Sequence, residues 1–292
     1  MLADIAQLTI SGLATGAIYA LAAMGFTLLW QTSSTINFAQ GEFVMVPAFV
    51  MIGFLATGMP LIFAFALTLA ASAIIFGVGF KRAVVDPMIR HGVLPLAIAA
   101  MALSLALQQG VKIFFGAEAR TLPDILPDGV TRLAGVAISW RDVGVLAISF
   151  VLILGLQLFL SRTLTGRAMQ ASAQNPDSAR VLGIDVDRMI LYTFLANAAL
   201  ASVAALLVTP IYLAKFDLGG PLGLKAFCAA IIGGFNQMQG ALAGGLLIGV
   251  IENLTGAYVA PQYKDAAALL LFVVVILFKP EGLFGRREER RV

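Results

Sequence analysis

Residues 165–187, TGRAMQASAQNPDSARVLGIDVD, form a long polar stretch between two segments apolar enough for a bilayer. Within it, Asn175 is a residue type that caps helix N-termini, and Pro176 suits the first helical position, where its missing N–H costs nothing. Asp177 would face the positive end of the helix dipole. About two turns later Gly183 can take the left-handed conformation that ends a helix, having no Cβ to clash. The stretch therefore predicts a short capped helix held between two spans. It can serve as a docking element for another protein, or as a solvated loop with local order.

Working outward, the hydrophobic types make up 60% of the 292 residues and only 12% are charged, against roughly 45–50% apolar for a soluble domain. This is the composition of a polytopic membrane protein. The net charge of +3 is not gathered into a basic patch interleaved with aromatics, so no nucleic-acid partner is expected. One cysteine, Cys228, excludes an internal disulfide, and with a single histidine, His91, it builds no metal cluster. Neither a metal nor a cofactor is expected. Residues 1–80 contain no Lys or Arg, so the basic region of a cleavable signal is missing and the first segment is expected to remain.

Apolar runs cover residues 5–30, 43–58, 60–80, 93–111, 143–160, 189–213, 226–254 and 266–278. Crossing roughly 30 Å of hydrocarbon takes about 20 helical residues, so most of these are spans. In lipid they must be helices, since the runs are too long for barrel strands. The expected fold is thus an all-α polytopic membrane protein with about eight to nine transmembrane or broken helices in a single domain, 1–292. Positive charge sets its orientation. Lys81, Arg82 and Arg90 in residues 81–92, and the basic tail at 279–292 with Lys279, Arg286, Arg287, Arg290 and Arg291, read as cytoplasmic. The balanced loop 112–142 reads as external, which places the polar loop at 162–188 in the cytoplasm.

Parity then constrains the second half. An even number of crossings must separate Arg188 from the tail, yet three apolar runs lie between them. The run 226–254 must cross twice or not at all. It is too short for two full spans, and Gly233, Gly234, Asn236, Gln237, Gln239 and Gly240 interrupt it, so a broken hairpin or re-entrant pair is expected. Non-helical backbone at that depth survives only where protein or a water-filled cavity shields it. A comparable interruption in the first half is the polar stretch 31–42, QTSSTINFAQGE, which reads either as a short cytoplasmic turn or as a broken helix. Interrupted segments in two halves point to a translocation site.

Glu42 and Glu252 are the acids most embedded in apolar sequence, and acids at membrane depth are costly enough to be functional candidates unless they reach the interface from a helix end. With them, Asn37, Gln40, Asn236 and Gln239 are candidates for lining a substrate path. Ser11, Thr15 and Tyr19 recur every four residues, as path lining or as interhelical hydrogen-bond glue. Gly12/Gly16, Gly240/Gly244 and Gly245/Gly249 are spacings that let helix backbones approach. The chain has no GxxxxGK[ST], HExxH, CxxC or GxSxG, so no catalytic residues are assigned, no enzyme is expected, and ATP-powered transport would need nucleotide bound by another chain.

Residues 166–188, GRAMQASAQNPDSARVLGIDVDR, resemble the cytoplasmic coupling loop of permeases in bacterial ABC importers for branched-chain amino acids. GAIYALAAMGFTLLWQTSSTINFAQGEFVM at 16–45, AIIGGFNQMQGALAGGLLIGVIENL at 230–254 and FKPEGLFG at 278–285 agree with it. The likeness spans nearly the whole chain and is nearest to the smaller of the two permeases of the high-affinity system. It implies a second related permease, two cytoplasmic ATPase subunits and a periplasmic substrate-binding protein, in the bacterial inner membrane with a cytoplasmic C-terminus. It also implies a coupling role for Arg167, Asn175, Pro176, Asp177, Ser178, Arg180 and Gly183. Gln40 stands where the family often has His, and FNQMQ at 235–239 replaces a smaller turn. Since similar permeases carry urea and short-chain amides, these stay open as substrates beside branched-chain amino acids. A different class, an ion-coupled secondary transporter using Glu42 or Glu252, is disfavoured by the coupling-type loop.

Overall fold

The structure is a computed structural model that describes residues 2–33, 35–88, 91–127, 129–133 and 135–285. Ser34 of the first interruption, Arg90, and the tail bases Arg286, Arg287, Arg290 and Arg291 lie outside the described residues. The described residues contain seven helices long and apolar enough to cross a bilayer and two shorter apolar helices, Gln40–Ala56 and Gly219–Gly233. This agrees with the expected eight to nine.

In chain order the helices are α1 Leu2–Ser33, α2 Gln40–Ala56, α3 Leu61–Ser72, α4 Asp86–Met88, α5 Val93–Phe115, α6 Trp140–Arg162, α7 Leu164–Gln174, α8 Pro176–Val181, α9 Val186–Tyr212, α10 Gly219–Gly233, α11 Met238–Tyr258 and α12 Lys264–Phe278. α3 and α4 are the ends of one continuous helix, Leu61–Met88, with π-helical turns between them. Lys81 and Arg82, expected in a loop, therefore lie on the last turns of a span. Lys81 is buried and pairs with Asp86 at 2.6 Å, which compensates its charge. A β-hairpin absent from the sequence reading, Val130–Leu133 (β1) with Val136–Ser139 (β2), folds part of the loop between α5 and α6, and Gly135 turns it at φ 83°.

The chain forms two compact units: Met1–Thr27, Asp124–Ile153 and Leu224–Val292 in the first, Leu28–Pro123 and Leu154–Gly223 in the second. In the second unit α9 packs on α2 and on the helix that follows α3, around an aromatic cluster. Phe43 lies 4.3 Å from Phe76 and 5.1 Å from Phe80, and Phe80 lies 5.7 Å from Phe194, ring centre to ring centre. Such spacings suit tilted and edge-on ring contacts.

In the first unit small residues do the packing. A Cβ on Gly12 would meet Val250 Cα at 2.7 Å, and one on Gly16 would meet Gly245 O at 2.6 Å, so α1 and α11 touch backbone to backbone. On the other side of α11, Gly240 lies against Gly233 and Gly244 against Ala229, which makes α10 and α11 an antiparallel pair. Lipid offers no hydrophobic drive between helices, so close approach and dispersion contacts hold them.

This pair is the interrupted segment, with different bounds from those expected. α10 starts at Gly219 and α11 ends at Tyr258, so the hairpin is one helix of 15 residues and one of 21. The shorter reaches only about 22 Å at 1.5 Å per residue. Gly234, at φ 103°, makes the turn. The carbonyls of Ile232 and Gly233 at the end of α10 accept from the N–H groups of Leu283 and Phe284, at 2.7 and 3.0 Å. For these two carbonyls the donors come from the FKPEGLFG stretch, a partner the sequence reading did not foresee.

Gly240→Ala should therefore destabilise the chain, because its methyl would collide with Gly233 backbone. A loss on the order of 1–3 kcal/mol is expected for such overpacking. Gly155→Ala, where a methyl meets nothing within 4 Å, should be neutral or stabilise by about 0.5–1 kcal/mol. Thermal unfolding of the two variants in detergent checks the contrast.

Candidate functional site: a buried acid at a helix break

The polar stretch after α1 resolves into a break followed by the first turn of α2. Asn37 Oδ1 accepts from Ala39 N–H at 3.0 Å, and Gln40 N–H donates to Asn37 O at 3.1 Å, which together start the helix. Gln40 then exchanges two hydrogen bonds of 2.8 Å with Asn197 of α9, both side chains fully buried. A reciprocal amide pair satisfies the inner donor and acceptor of each residue.

Glu42 follows in the same turn and is 1% exposed. Its Oε1 accepts from Ser104 Oγ at 2.9 Å and Gln108 Nε2 at 2.7 Å, both on α5. Its Oε2 has no hydrogen-bond partner among the described residues, nor has Asn37 Nδ2. The carboxylate lies flat against Gly219 at the start of α10, where any Cβ would strike it. Gly41 is likewise in backbone contact with Gly219, and a Cβ on Gly223 would meet Gly41 N at 3.0 Å. The first turns of two broken helices thus meet at one acid. Helix N-termini carry partial positive charge, which favours an anion there.

Glu252 has a different environment. It lies within α11, 2% exposed, and accepts from Tyr19 Oη at 2.8 Å and Lys225 Nζ at 2.8 Å. Lys225 also pairs with Asp265 at 2.8 Å and lies 5.3 Å from the centre of the Tyr19 ring. Ser11, in the same polar stripe as Tyr19, donates to Asp142, and Thr15 donates back to Ser11 O. The stripe makes hydrogen bonds inside the protein.

The six path candidates are divided between the two units. Asn37, Gln40 and Glu42 belong to the second unit, and Asn236, Gln239 and Glu252 to the first. Asn236 and Gln239 are exposed on this chain. Gln239 and Glu252 stand 13 positions apart on α11, about 20 Å along its axis. Ser104, Gln108, Asn197 and Lys225 were missed. Lys225 had a visible signal, as the one base inside the apolar run of α10; the others look like ordinary polar residues of a span.

The polar stretch 165–187 forms two helices, α7 and α8. Thr163 Oγ1 caps α7 by accepting from Gly166 N–H at 3.0 Å. Asn175 Oδ1 caps α8 by accepting from Ser178 N–H at 2.9 Å, with Pro176 in the first turn. Asp177 pairs with Arg180 at 3.1 Å. At the other end Gly183 has φ 82°, its N–H donates to Arg180 O, and Ile184 N–H donates to Ala179 O. These are the paired bonds of a glycine-terminated helix. Arg167, Asn175, Pro176, Asp177, Ser178, Arg180 and Gly183 are all exposed, and α8 also exposes Val181 and adjoining Leu182. Val181 and Leu182 are the large apolar side chains exposed at the end of this polar segment.

Seven long apolar helices and two shorter ones among the described residues fit a multi-pass membrane protein. The family described as "Branched-chain amino acid transport system / permease component" matches residues 8–277, and the chain belongs to it. It is 34% identical to the high-affinity branched-chain amino acid transport system permease protein BraD of Pseudomonas aeruginosa, with 98% of this chain and 97% of that one covered. To the corresponding protein LivH of Escherichia coli K12 it is 32% identical, again over 98% and 97%. Its fold resembles a chain of PsaBC from Streptococcus pneumoniae, solved in complex with Fab, at a TM-score of 0.51 and 11% identity over 96% of this chain and 97% of that one.

Removing one partner of the Glu252–Lys225 pair leaves a buried charge uncompensated, which typically costs about 3–5 kcal/mol. Lys225→Met should therefore lower the yield of folded protein and its unfolding temperature, and adding Glu252→Gln should restore most of the loss. Thermal unfolding of the two single variants and the double variant checks this.

Proposed function

We propose that this chain is the membrane-spanning permease of an ATP-driven importer that carries branched-chain amino acids across the bacterial inner membrane, with its C-terminus in the cytoplasm. The observation that supports this most is end-to-end similarity to two permeases named for high-affinity branched-chain amino acid transport. The working complex holds a second related permease, two cytoplasmic ATPase subunits that hydrolyse the nucleotide, and a periplasmic protein that delivers the substrate.

In this reading the cytoplasmic loop at 162–188 is the coupling element. The exposed face of α8, from Asn175 to Gly183, docks in a cleft of an ATPase, and its caps keep it a rigid lever. The ATPase dimer has different affinity for the two permease states, and that difference drives alternating access. The path is lined by Asn37, Gln40, Glu42, Asn236, Gln239 and Glu252. Of these, the helix break at Asn37–Glu42 offers hydrogen-bonding groups at depth, as broken helices of transporters do.

Reconstituted in liposomes with both permeases, the ATPases and the binding protein, the system should accumulate leucine, isoleucine or valine only when ATP is present on the ATPase side. The chain alone should neither hydrolyse ATP nor concentrate substrate under an ion gradient. Gradient-driven uptake by the isolated chain would move it to the secondary transporters, and uptake of urea without amino acids would replace the substrate.

A cysteine in place of Ser178 should crosslink to one placed on the ATPase surface. Labelling of Ser178→Cys only by reagents on the periplasmic side would overturn the coupling role.

A further inference from the structure

We propose that Glu42 is the group that receives the ammonium of the transported amino acid; this rests on the reading of the chain as an amino-acid permease. The argument starts from the two oxygens of one carboxylate. Oε1 is held by Ser104 and Gln108, and Oε2 has no partner among the described residues although Glu42 is 1% exposed. A buried acceptor without a donor is costly, more so when the group is charged. Because α5 fixes the other oxygen, the free lone pairs of Oε2 keep one direction.

The start of α10 lies against the face of this carboxylate, nearest to Oε2. Gly219 packs against the carboxylate, and a Cβ there would strike both oxygens and the carbon joining them. Backbone of a helix end, with no side chain of its own at Gly219, lies against the free oxygen. A shift of the first turn of α10 uncovers the acid without moving any ligand of Oε1. A primary ammonium entering there supplies the missing donor and balances the charge, which matters most where the surroundings screen it least. A neutral amide supplies the donor but not the charge.

A second unpartnered group lies five residues earlier. Asn37 Oδ1 is occupied by Ala39 N–H, which fixes the amide, so its partnerless Nδ2 is a buried donor. A zwitterion brings the complementary pair, an ammonium for the acceptor and a carboxylate for a donor. Neither the Lys225–Glu252 pair nor the Gln40–Asn197 pair has such spare capacity in the bonds described.

The test compares two ligands that differ only by the ammonium, L-leucine and 4-methylpentanoate, binding at equilibrium to the assembled importer in nanodiscs. Glu42→Gln is the informative variant. Its Oε1 still accepts from Ser104 and Gln108, while the other atom changes from acceptor to donor. The wild-type complex should prefer leucine roughly ten-fold or more, as a charge-assisted hydrogen bond gives, and E42Q should bring the two ligands within about two-fold. Glu42→Asp, which keeps the charge but draws it back, should fall between, and it decides the matter if E42Q does not assemble. Either assembled variant keeping the full wild-type preference overturns the assignment. If the wild-type complex takes up leucine while E42Q keeps its preference, only this assignment falls; if the wild-type complex takes up no amino acid, the underlying reading falls.

Discussion

A helix that stops inside an apolar protein leaves N–H and C=O groups that need partners, and two breaks among the described residues show how some of them are supplied. At the end of α10 two carbonyls take N–H donors from residues 283 and 284. At the start of α2 the side chain of Asn37 receives an N–H of the turn, and the Glu42 carboxyl group lies against the first residue of α10. At the first interruption Asn37 and Gln40 are therefore structural, since they start α2 and tie it to α9.

The two embedded acids divide along the same line. Glu252 has a hydroxyl on one oxygen and an ammonium on the other, so both of its oxygens are engaged. Among the described residues Glu42 has two neutral donors on one oxygen and none on the second. Acids that look alike in hydropathy thus differ in what they can still bind.

Features coded by neighbouring residues were readable before the structure. Asn175, Pro176 and Gly183 specify α8 because caps depend on side chains within a turn of the helix end. The break at Gly233–Gly240 was readable from charge parity and glycine content, although its bounds were not, since Gly219 does not look like the start of an apolar helix. Contacts between distant residues were hidden. Glu42 meets Ser104 and Gln108 across 62 and 66 positions, and Tyr19 meets Glu252 across 233. Nothing in a local window marks Ser104 as the partner of an acid, and where the helix continues through Lys81 that base pairs with Asp86, which hydropathy does not count.

The glycine contacts of α11 also bear on mechanics. Where side chains interdigitate, helices can slide by changing rotamers; where backbone meets backbone, there is no rotamer to change. α11 is in such contact with α1 at Gly12 and Gly16 and with α10 at Ala229 and Gly233. These three stretches should behave as one stiff slab, and any rearrangement of the first unit must bend the chain elsewhere, in segments whose interfaces are made of side chains.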